Sequence, residues 1–110
     1  MAYDEALADR VRELVSARSD VSEKEMFGGI AFLVGGNMAV GVRGDDLLVR
    51  LPQEDAETAL AEEGVRPFEM GAGRRPKGWV IVEAERITDD SSLGEWVDVG
   101  ADYAASLPPK

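Results

Sequence analysis

Few residues in this chain have the types and spacing that chemistry needs. The stretch Gly71 to Gly78, GAGRRPKG, gathers Arg74, Arg75 and Lys77 between glycines. Such a loop can hold a phosphate or carboxylate through backbone N–H groups and guanidinium forks. It lacks the Lys-Ser/Thr ending of a nucleotide-binding P-loop, and it joins two expected strands instead of opening a helix, so nucleotide binding has no support. The competing reading is a solvated hairpin loop whose cations pair with Glu54, Asp55, Glu62 and Glu63. Two adjacent acidic pairs, Asp45-Asp46 and Asp89-Asp90, lack the spaced oxygen ligands of a calcium loop and stand where turns and helix caps favour Asp. The chain contains no His and no Cys, which excludes Cys/His zinc sites and the Ser-His and Cys-His nucleophile pairs. No catalytic residue, metal or cofactor is expected, and the chain reads as a non-enzyme.

Composition narrows the classes further. The chain has 110 residues, 45% of them hydrophobic and 31% charged, which suits one globular domain over 1–110. Its 22 acidic residues outnumber 12 basic ones for a net charge of −10. A duplex binder needs a basic footprint to displace counterions, so direct nucleic-acid binding is disfavoured. No apolar run approaches the roughly 20 residues of a membrane helix. The start, MAYDEALADR, is acidic and lacks the basic and apolar regions of a signal peptide, so a cytoplasmic location is expected.

The elements follow from periodicity. Tyr3, Leu7, Val11, Leu14 and Val15 recur at helical spacing, which predicts a helix over Tyr3 to Ala17. The polar VSEKE reads as a lead-in to the first strand. In EMFGGIAFLVGGNMAVGV the pair Gly28-Gly29 is expected to be a β-bulge that aims Met26 and Phe27 inward. The second pair, with Asn37, is expected to form a three-residue hairpin loop. That register sets Val34 opposite Met38, Phe32 opposite Val40 and Ile30 opposite Val42. A Gly44-Asp45 turn then sets Val42 opposite Leu47 and Val40 opposite Val49 on the same buried face. The reverse face carries Ala31, Leu33, Ala39, Gly41, Leu48 and Arg50, with Arg43 and Arg50 at its margin; it is too apolar for solvent, so another part of the chain or a partner must cover it. Leu33, Ala39, Gly41, Leu48 and Arg50 are the candidate interaction face.

After this meander, PQEDAETALAEEG predicts a helix begun by Pro52 and stopped by Gly64. VRPFEM is a short edge strand, WVIVE a further strand, and ITDDSSLGEWVDVGADYAASL a last helix capped by Ser92 and ended by Pro108-Pro109. Trp79 and Trp96 read as core aromatics. The order α-β-β-β-α-β-β-α implies an α+β fold with a mainly antiparallel five-stranded sheet flanked by helices.

The stretches MFGGIAFLVGGNMAVGV, LLVRLP, RPFEMGAGRRPKGWVIVE and the terminal SLPP together resemble the N-terminal domain of the TfoX/Sxy family. The likeness runs from about Tyr3 to Leu107. Its most specific parts are Met26-Phe27-Gly28-Gly29 and Pro76-Lys77-Gly78-Trp79, read as structural. The resemblance implies an α-β(3)-α-β(2)-α fold, similar to secretion chaperones and often dimeric. It implies kinship with regulators of natural competence that act with the cyclic-AMP receptor protein at promoters through a second, C-terminal domain. No such domain is recognisable here, so the expectation is a stand-alone regulatory or protein-interaction module with an unidentified protein partner or a second copy of itself. The alternatives are an anion-binding protein or enzyme using Arg74, Arg75 and Lys77, and a nucleic-acid-associated transcriptional regulator. The resemblance supplies no catalytic residues.

Overall fold

Alternating apolar residues build the sheet, and two helices with one apolar stripe each cover one of its faces. The structure, a computed structural model, describes residues 3–26, 28–69 and 78–109. In chain order it runs α1 (Glu5–Val15), β1 (Val21–Met26), β2 (Gly29–Val34), β3 (Asn37–Arg43), β4 (Asp46–Arg50), α2 (Gln53–Ala59), β5 (Val65–Pro67), β6 (Trp79–Val82), a 3₁₀ turn (Ala84–Arg86) and α3 (Asp90–Ser106). The six-stranded sheet has the order β1-β2-β3-β4-β6-β5 with every pairing antiparallel. This is the expected α+β fold. The strand beyond the expected five is β1, formed by the polar VSEKEM as an outer strand.

The core lies between the helices and one sheet face. Leu7, Val11 and Val15 of α1 and Leu93 and Val97 of α3 pack against Ile30, Phe32, Val40, Val42, Leu47, Val49, Val80 and Val82. Burying one such side chain contributes about 1.5–3 kcal/mol, so this layer dominates stability. Leu14, expected on the apolar stripe of α1, is instead exposed. Asp4 caps α1 by accepting from the N–H groups of Ala6 and Leu7. Asp89, not Ser92, caps α3: its carboxylate accepts from the Ser92 N–H at 2.9 Å. Helix α2 ends earlier than expected, and Gly64 (φ +80°) turns the chain into β5.

Both glycine pairs turn out to be turns. Met26 opposes Gly29, so β1 and β2 reverse between them, with Gly28 at φ +74°. The expected bulge is not there. Gly29 has a separate reason: a Cβ on it would lie 2.1 Å from the Val42 carbonyl oxygen, so only glycine lets β2 approach β3 so closely. Gly35 and Gly36, at φ +61° and +82°, form a two-residue turn, and both positive angles match type I′. Val34 therefore opposes Asn37, not Met38.

The bulge occurs further along. Ile30 opposes Val42 and Phe32 opposes Val40 as expected, but the register shifts after Phe32, so Leu33 opposes Met38 and Ala39 is the extra residue. Val40 with Val49 and Val42 with Leu47 also pair as expected. The shift removes Met38 from the helix-covered face and turns Ala39 toward α3, where it packs with Val34, Ala101 and Ala104.

Candidate functional site

The second sheet face can be built one register row at a time. Lys24 opposes Ala31, Ala31 opposes Gly41, Gly41 opposes Leu48, Leu48 opposes Ile81, and Ile81 opposes Arg66. Directly opposed residues share a face, so one row crosses all six strands with cations at its ends and small or apolar residues between. Two residues further along β3 and β4 the same face carries Arg43, opposite Asp46, and Arg50, opposite Trp79.

The centre of this face is closed by the chain itself. Leu48 is 1% exposed and packs with Phe68 and Ile81, with Met38 and Trp79 around them. The segment after β5 thus supplies the cover that the apolar pattern demanded. Of the candidate interaction residues, Leu48, Gly41 and Ala39 are buried, and Ala39 lies under α3 because of the bulge. Leu33 and Arg50 are half-buried. The Arg50 guanidinium carbon lies 5.6 Å from the Trp79 ring centre and 5.8 Å from that of Tyr103. Arg50 therefore ties the end of β6 to α3. Gly78 (φ +85°) and Trp79 open β6, and the Gly78 carbonyl accepts from the Leu51 N–H at 2.7 Å. Arg74, Arg75, Lys77, Pro76 and Phe27 lie outside the described residues.

At the other end of the face, the Gly28 and Gly44 turns flank an open cleft of about 480 Å³. Its floor is Leu48 and Ile81, and its polar groups are Arg43, Asp46 and Arg66. A smaller groove of about 330 Å³ adjoins it, sharing Arg43, Arg66 and Ile81 and adding Pro67 and Glu69. Arg66 is held by Asp46 at 2.8 Å and Glu83 at 3.3 Å, and Asp46 also accepts from the Ala84 N–H at 3.1 Å. Arg43 lies 5.8 Å over the Phe68 ring. Among the described residues Arg43 has no carboxylate at ion-pair distance, and neither have Lys24 and Arg50, whereas Arg10, Arg12, Arg18, Arg66 and Arg86 all have one. The three unpaired cations share one sheet face.

The shifted ionisable groups lie elsewhere and are structural. Arg12 donates to both Glu23 carboxylate oxygens at 2.6 and 2.7 Å, which lowers the Glu23 pKa and raises that of Arg12. Backbone and side-chain hydrogen bonds from Ser92 lower that of Asp89 at the α3 cap. Among the described residues no group of three or more acidic side chains is placed to hold a metal ion.

Sequence reasoning placed Arg43 only at the margin of this face and missed Arg66. Arg43 and Arg66 line one cleft although β4 and β6 stand between their strands. The available signal was Arg43 beside the Gly44 turn, a cation at a hairpin tip without a nearby acid on its own strand.

No curated protein matches the chain. The model of the TfoX N-terminal domain matches residues 13–104, from within α1 to the last turns of α3, and so takes in every strand described above. The chain belongs to the TfoX N-terminal domain family.

Proposed function

We propose that this chain is a small regulatory module that acts by protein contact and not by catalysing a reaction. The family supports the regulatory part. The observation that carries the contact part is the outer edge of β1. Residues Ser22 to Met26 are all exposed, and among the described residues β1 pairs on one side only, with β2. Such an edge offers backbone donors and acceptors to an added strand. Met26, 38% exposed, adds an apolar contact at its end.

The edge favours a different chain over a second copy. Antiparallel self-pairing about a two-fold axis opposes a residue to its own copy. An axis at Lys24 sets Lys24 against Lys24 and Glu23 against Glu25; axes at Glu23 or Glu25 set each acid against itself. Like charges directly opposed destabilise a pair, so the fitting strand has the complementary charge order.

A photo-crosslinking residue at Lys24, with one at Glu57 on the exposed side of α2 as control, tests this in cells. The expected result is one discrete adduct from Lys24 and none from Glu57. Equal or absent crosslinking at both positions overturns the reading. A concentration-dependent dimer by light scattering, with β1 amides protected from exchange, replaces it with self-association.

A further inference from the structure

We propose that the cleft between the Gly28 and Gly44 turns binds an organic monocarboxylate, with Arg43 as the residue that takes the carboxylate. This inference stands apart from the contact reading above, which concerns β1. The volume of about 480 Å³ falls in the range of small-ligand sites. The walls are open where side chains would otherwise stand: a Cβ on Gly28 or Gly44 would meet nothing within 4 Å. The floor, Leu48 and Ile81, is apolar, and both side chains are buried, so a ligand would meet only their margins.

The charge arrangement selects the head group. The Arg43 guanidinium carbon lies 5.8 Å from the Phe68 ring centre, a cation–π contact that uses none of its N–H donors and leaves them for a bidentate partner. Arg66 is already matched by Asp46 and Glu83. Among the described residues the charges at the cleft therefore balance, but Arg43 is the guanidinium there whose donors have no carboxylate at ion-pair distance, and it stands beside two carboxylates already held by Arg66. A planar monoanion satisfies Arg43. The second negative charge of a phosphate monoester would face Asp46, which disfavours it. The carboxylate can belong to a free acid or to a Glu side chain of a peptide, and both present the same chemistry to Arg43.

Amide NMR titrations of the whole chain test the site, using hexanoate, a blocked peptide with a single Glu, and inorganic phosphate. The expected result is a saturable shift of the Gly28, Gly44, Leu48 and Ile81 amides with hexanoate or the peptide, and none with phosphate. Arg43→Met should weaken binding by about tenfold or more, as loss of a charged hydrogen-bond partner does. Arg50→Met, which removes the same charge elsewhere on the same face, should change it by less than about twofold. Arg43→Lys keeps the charge but loses the fork, and should bind more weakly than wild type. Tighter binding of the peptide assigns the carboxylate to a protein, and tighter binding of hexanoate assigns it to a free acid. No saturable shift at these amides, equal losses in Arg43→Met and Arg50→Met, or phosphate binding as tight as hexanoate each overturn the proposal.

Discussion

Gly100 of α3 rests directly on the backbone of Ala39. A Cβ on Gly100 would lie 2.7 Å from the Ala39 carbonyl oxygen and 2.8 Å from Val40 Cγ1. The bulge that turns Ala39 toward α3 and the glycine that lets α3 approach are two halves of one contact.

Gly100→Ala is therefore expected to destabilise the fold. Overpacking costs about 1–3 kcal/mol, which outweighs the roughly 1 kcal/mol of helix propensity that alanine adds. Gly94→Ala on the same helix is the contrast. Its nearest neighbour would be Leu14 Cδ2 at 3.9 Å, so the propensity gain of about 0.5–1 kcal/mol should appear as added stability. Urea unfolding of both variants checks the pair; equal signs would contradict the close approach.

Asn37 is the one buried polar residue among those described, and its side-chain amide donates to the Pro108 carbonyl at 2.9 Å. Pro108 is exposed, so water can take the place of the lost donor, and Asn37→Ala should cost about 0.5–1.5 kcal/mol. Hydrogen exchange should show the loss first at the Leu107 amide, which bonds the Ala104 carbonyl at 3.2 Å. An unchanged midpoint and unchanged exchange would mean that the tail is not held here.

The Arg12–Glu23 pair ties α1 to the outer strand β1. The Glu23 pKa is lowered in the fold, so its contribution is present above the ordinary carboxylate pKa and is lost as pH falls through the folded value. Both groups are partly exposed, which limits the pair to about 0.2–1 kcal/mol. Glu23→Gln should be slightly less stable than wild type at neutral pH, and the gap should close in acid. A gap that persists at low pH would assign the effect to packing.

Arg50 is expected to matter through its rings. Arg50→Met keeps the apolar stem but removes a guanidinium lying over Trp79 and Tyr103, a loss of about 0.5–1 kcal/mol per contact. Trp79 fluorescence should shift in the folded state. Stability and emission both equal to wild type would show that the stacking contributes nothing.

Much of the fold was legible because the inner strands alternate and two turns agree on one buried face. The outer strand was not, because VSEKEM lies exposed at an edge and needs no apolar alternation. The bulge was hidden by composition: Met38 and Ala39 are both apolar, so either register satisfies the pattern, and only the positive φ of both Gly35 and Gly36 selects the two-residue turn. Ala39 and Leu48 were read as one face because strict alternation was carried through the shift. The cleft depends on Arg43 and Arg66 lining one site from strands separated by β4 and β6, a tertiary fact with no local trace.

Strand β3 also anchors Tyr3, ahead of α1, and Pro108, after α3. Tyr3 bridges to Gly44, just beyond its last residue, and Pro108 accepts from Asn37, its first. At about 3.3 Å per residue the two anchors, Asn37 and Gly44, stand roughly 23 Å apart. The separation of Tyr3 from Pro108 is thus set by the length of one interior strand. A donor–acceptor dye pair near Tyr3 and Pro109 would measure that strand as a ruler, and its lengthening would report opening of the sheet from within.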